Sequence, residues 1–76
     1  MNEYEKLKRL LYKQGIDYEE RKHFMGEEIR LTTAPISIIW WDNELTINGC
    51  GYCNVWSYSA EYIARMLDRK FRDGEL

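Results

Sequence analysis

The residues best suited by type and spacing to do chemistry are Cys50 and Cys53, in the run Cys-Gly-Tyr-Cys. Two thiols three positions apart can supply half of a tetrahedral metal site, or can cycle between dithiol and disulfide. A structural zinc needs four ligands, and the chain adds one histidine, His23, and no third cysteine. Carboxylates or a second copy of the chain would have to complete it, which would make a metal-clamped dimer. A thioredoxin-like pair needs its first cysteine at a helix N-terminus after a βαβ pattern. Here the pair follows Asn48-Gly49 and reads as a turn between strands, where two small residues need no chemistry. His23 stands alone between Lys22 and Phe24. The carboxylate pairs Glu19-Glu20 and Glu27-Glu28 are adjacent in sequence, so on a strand their members diverge. No serine or cysteine has a partner motif for nucleophilic catalysis. The expectation is therefore a protein that is not an enzyme, with no cofactor and no resident metal.

Binding chemistry is better represented. Net charge is -2, but it is unevenly spread. Lys6, Arg9 and Lys13 recur at helical spacing near the start, and Arg65, Arg69 and Arg72 near the end. Such rows suit a phosphate backbone or an acidic protein, unless Glu5, Glu61 and Asp68 beside them neutralise them. Between lies an acidic stretch holding Asp17, Glu19, Glu20, Glu27 and Glu28. Carboxylates spaced along an exposed strand can imitate nucleic-acid phosphates, or simply keep an edge strand from pairing with other chains. Eleven aromatic residues, among them Trp40, Trp41, Trp56, Tyr52, Tyr58 and Tyr62, complete the set.

The elements that must position these groups follow from periodicity. Tyr4, Leu7, Leu10 and Leu11 mark a helix over 3–14, with Gly15 in the left-handed conformation and Ile16 folding back on Leu11. Asp17 to Phe24 is a charged edge strand with Ile16, Tyr18 and Phe24 on one parity, followed by a Met25-Gly26 turn. Residues 28–33 alternate, Pro35 interrupts, and Ile36 to Trp41 is the most strand-like run. Asp42-Asn43 signals a two-residue hairpin. Leu45 and Ile47 alternate in the returning strand, and Tyr52 to Trp56 supplies the last. Ser57 or Ser59 caps a final helix, with Tyr58 and Ile63 as a hydrophobic staple. Its apolar stripe is Ala60, Ile63, Ala64, Leu67 and Phe71. Glu61 with Arg65, and Asp68 with Arg72, stand as i,i+4 pairs on its other side.

The sum is one α+β domain over 1–76: an N-terminal helix, an antiparallel meander of three to five strands and a C-terminal helix, both helices on one face of the sheet. At 76 residues and 45% hydrophobic, the chain is too apolar for disorder, and its uncharged runs are too short to span a bilayer. No export signal precedes the first helix, so a cytoplasmic protein is expected. Neighbouring strand residues point to opposite faces. If Ile36, Ile38 and Trp40 face the helices, Trp41 lies on the open face, where rigid aromatics serve as binding anchors or stacking platforms.

Glu3-Tyr4-Glu5-Lys6-Leu7, Gly15-Ile16-Asp17-Tyr18-Glu19-Glu20-Arg21 and Tyr58-Ser59-Ala60-Glu61-Tyr62-Ile63 resemble small uncharacterised proteins of bacterial phages and integrated mobile elements. That resemblance implies an inhibitor of host defence that either covers a protein surface, as anti-CRISPR proteins do, or sequesters a nucleotide signal. The order helix, meander, helix also resembles that of double-stranded RNA binding domains, whose lysine-rich motif at the second helix is replaced here by Ser59-Ala60-Glu61-Tyr62. The leading expectation is a non-catalytic module that blocks a host protein, with Trp41 and the acidic residues Glu19, Glu20, Glu27 and Glu28 as contacts. The alternative is a nucleotide sponge, possible as a homodimer, that stacks bases on Trp and Tyr and holds phosphates with Arg65 and Arg69.

Overall fold

A computed structural model describes residues 2–49, 51–57 and 59–74, with Cys53 and Asn54 described by their backbone. The element order is α1 (Glu3–Lys13), β1 (Tyr18–His23), β2 (Gly26–Leu31), β3 (Ser37–Trp41), β4 (Glu44–Gly49), β5 (Tyr52–Ser57) and α2 (Ala60–Arg72). The five strands form one antiparallel meander in the order β1-β2-β3-β4-β5. The α+β class, the helix-meander-helix order and the charged edge position of β1 all agree with the sequence expectation.

Local chemistry sets the element ends. Asn2 caps α1, its Oδ1 accepting from the Glu5 amide at 2.8 Å. At the other end Gly15 adopts φ +73°, and the Gly15 and Ile16 amides donate to the Tyr12 and Leu11 carbonyls. This is the full left-handed C-cap, and it buries Ile16. Ser59 rather than Ser57 caps α2, accepting from the Tyr62 amide at 3.2 Å. Tyr58, the expected staple, lies outside the described residues. Asp42 and Asn43 both take positive φ, the hairpin turn whose twist matches the flanking strands.

One turn is displaced from its expected place. His23 pairs with Gly26, so the first hairpin turns through Phe24 and Met25, and Gly26 is the first residue of β2. The reason is a close approach across strands: a Cβ on Gly26 would run into the Trp40 carbonyl. Phe24, expected on the parity of Tyr18, instead stands 92% exposed at the turn tip, its ring stacked on His23 with centroids 4.5 Å apart.

Strand alternation builds the core on one side of the sheet. Ile29, Ile38, Ile47 and Val55 form a cross-strand row, and Leu31, Ile36, Trp40 and Leu45 share its face. Against them pack Tyr4, Leu7 and Leu11 from α1, and Ala60, Ile63, Ala64 and Leu67 from α2. Each fully buried Leu or Ile contributes roughly 1.5–3 kcal/mol relative to exposure. The Tyr4 ring stacks on Trp40, with centroids 6.3 Å apart. In β5 the register shifts: Ile47 faces Val55 but Gly49 faces Tyr52, so three steps of β5 oppose two of β4. The extra residue brings Tyr52 round to the helix side, where it packs against the core beneath Lys70.

Candidate binding surface

The strand register that fills the core also dictates the opposite face. One full row runs Arg21, Glu28, Ile39, Thr46 and Trp56 across all five strands. A second row holds Glu19, Arg30, Ser37 and Asn48, and Trp41 stands opposite Glu44 at one end. No described helix covers this face, because α1 and α2 both pack on the other side. Trp41 is 53% exposed and Trp56 is 56% exposed. With β4 between them and a two-residue offset, their Cα atoms are about 12 Å apart. Phe24, at the tip of the neighbouring hairpin, lies at the same end of the sheet.

The polar end of this face is structural in character. Glu28 is buried at 6% exposure and accepts from Arg30 Nε at 2.8 Å. The Arg30 hydrogen bond, aided by Ser37, holds the Glu28 carboxyl below the usual carboxylate range against the opposing effect of burial. Glu19 meets Arg21 at 3.5 Å. His23 is fixed by its Nδ1, which accepts from the Met25 amide at 3.1 Å.

The acidic stretch is divided by the pleat. Glu19 and Glu28 point to the open face, whereas Glu20 and Glu27 point to the helix side. Glu20 accepts from the Tyr4 hydroxyl at 3.1 Å and from Lys8 at 3.2 Å, and burial together with this carboxylate pushes the Tyr4 phenol up. Glu27 sits 3.9 Å from Lys22. The four glutamates therefore do not form one contact surface with Trp41. Arg65 and Arg69 are on the outer side of α2, behind the sheet, so they and Trp41 also belong to different surfaces. Trp56 and Phe24 join Trp41 at its end of the molecule. The exposure of Trp56 follows from its register with Thr46, whereas that of Phe24 depends on the displaced turn.

Cys50 lies outside the described residues, as does the side chain of Cys53. Among the described residues, no cluster of three His, Cys, Asp or Glu side chains could hold a metal ion. None of the described helices is long and apolar enough to cross a membrane. Comparison of the chain with family models, curated proteins and solved structures gives no match.

Proposed function

We propose that the protein is a non-catalytic binding module that covers a partner protein with the open face of its sheet. The observation that carries this reading is the pair Trp41 and Trp56, both more than half exposed on a sheet face that no described helix covers. Large rigid aromatics lose little conformational entropy when they bind, and they dominate the energetics of protein interfaces. On the same face the Glu28 carboxylate is buried and already paired with Arg30, so it makes no unmet charge there. The resemblance of the terminal segments to phage and mobile-element proteins supplies the partner class, a host defence protein such as a CRISPR effector.

The test is a plaquing assay in a bacterial strain whose CRISPR immunity targets the infecting phage. Expression of the wild-type chain restores plaques, and the Trp41→Ala, Trp56→Ala double variant, expressed as folded protein, does not. Failure of the wild-type chain to restore plaques sinks the anti-CRISPR reading. Equal restoration by wild type and double variant sinks the assignment to this face.

A further inference from the structure

The helix layer carries a second surface of different chemistry. On α1 and α2 the acids one helical turn from a base are already engaged. Glu5 pairs with Lys8 at 3.2 Å, Asp68 with Arg72 at 3.1 Å, and Glu61 with Lys6 at 3.4 Å. The last pairing departs from sequence expectation, which gave Glu61 to Arg65 within one helix. Because Glu61 reaches across to α1, Arg65 pairs with no acid among the described residues. Among the described residues Arg9, Lys13, Arg65 and Arg69 enter no ion pair, and all four are exposed. Among the described residues the cations of this surface thus outnumber the acids left to neutralise them, although the chain as a whole is slightly acidic.

Aromatic rings stand among these cations. Tyr12 is exposed on α1 between Arg9 and Lys13, and Tyr62 is 52% exposed on α2. Tyr62, Arg65 and Arg69, with Met66, line a shallow groove along the outer side of α2. Arg65 and Arg69 are one helical turn apart, a rise of about 6 Å, which is close to the spacing of successive phosphates in an extended strand. Planar guanidinium groups beside a ring that a base can stack on are the two components of a single-stranded nucleic-acid surface. An acidic protein would satisfy the charges but would leave the tyrosines without a role.

We infer that the outer surface of the helix layer binds single-stranded nucleic acid, with Arg65 and Arg69 on phosphates, Tyr62 under a base, and Arg9, Tyr12 and Lys13 extending the track onto α1. This surface lies behind the sheet from Trp41 and Trp56, so it stands or falls independently of the protein-binding face.

Fluorescence anisotropy with labelled DNA and RNA oligonucleotides of about 12 nucleotides tests it. Four neutralised phosphates give a log-log salt slope of about -3, so affinity drops roughly 50-fold between about 50 and 200 mM salt. The Arg65→Ala, Arg69→Ala variant flattens the slope by about 1.4, and Tyr62→Ala weakens binding about tenfold without changing it. Tyr62→Phe restores the affinity, and Lys22→Ala, on the far edge strand, has no effect. Absence of binding at about 50 mM salt overturns the proposal. So does a slope that the arginine variant leaves unchanged. Equal binding of an oligoglutamate of matching charge, with Tyr62→Ala indifferent, would assign the surface to an acidic protein instead.

Discussion

The Glu3 carboxylate accepts a hydrogen bond from the Ala60 amide at 2.9 Å, so the first residue of α1 joins Ser59 in capping the N-terminus of α2. Lys6 joins the two helices at the same point, 3.4 Å from both Glu3 and Glu61. The contact places a negative charge where the α2 dipole is positive. The Ala60 hydrogen bond, with Lys6 in support, draws the Glu3 carboxyl below its ordinary value.

Glu3→Ala is expected to destabilise the fold by about 1 kcal/mol, the usual cost of losing an N-terminal cap. Urea denaturation of both proteins at neutral pH checks it, and coincident midpoints would show that Ser59 alone suffices to cap α2.

Acid should weaken the protein in a defined direction. Glu3 and Glu28 both have carboxyls lowered by hydrogen bonds made only in the folded state. Their contributions are complete above the unfolded carboxylate value of about 4.3 and disappear as pH falls through the lower folded values. Stability measured from pH 7 downward should therefore begin to fall near that unfolded value. The Glu28→Gln variant should show a shallower fall, and an identical pH profile would refute the role of the Arg30 pair.

Gly26→Ala should cost more than Gly15→Ala, for different reasons. At Gly15 a methyl group meets open space, and the penalty is that of a left-handed backbone, about 1–2 kcal/mol. At Gly26 it meets the Trp40 backbone, which cannot yield without parting β2 from β3. Thermal midpoints of the two variants decide the order.

Trp41→Ala and Trp56→Ala should each lower partner affinity by about 30-fold, while stability changes by less than about 1 kcal/mol. A binding titration paired with a denaturation curve separates the two effects. A large loss of stability would mark the tryptophans as structural.

Much of this architecture is legible in sequence where the determining chemistry is local. Gly15-Ile16, Ser59 and Asp42-Asn43 each specify a backbone conformation within a few residues, and the alternation from Ile36 to Trp41 fixes which tryptophan is outward. What escapes depends on distant partners. The Phe24-Met25 turn is set by how near Gly26 must come to β3, whereas the divergence of Glu19 from Glu20 and of Glu27 from Glu28 already follows from strand alternation. Likewise Glu61 has an intrahelical candidate in Arg65, yet the neighbouring helix supplies Lys6. Nothing in residues 60–72 by themselves announces that choice.

The joining of α1 to α2 has a consequence for the order of events during synthesis. Every strand in the meander pairs with a neighbour in sequence, so the sheet can zip up locally as the chain emerges. The half of the apolar face that α2 covers has to wait for the final helix. Until Arg72 has left the ribosome, β5 and the apolar surface beside it lack their α2 cover, and the nascent protein is a sheet with one helix and a sticky flank. The Glu3 to Ala60 contact, spanning 57 positions, cannot form before α2 reaches α1, so it belongs to the end of this interval.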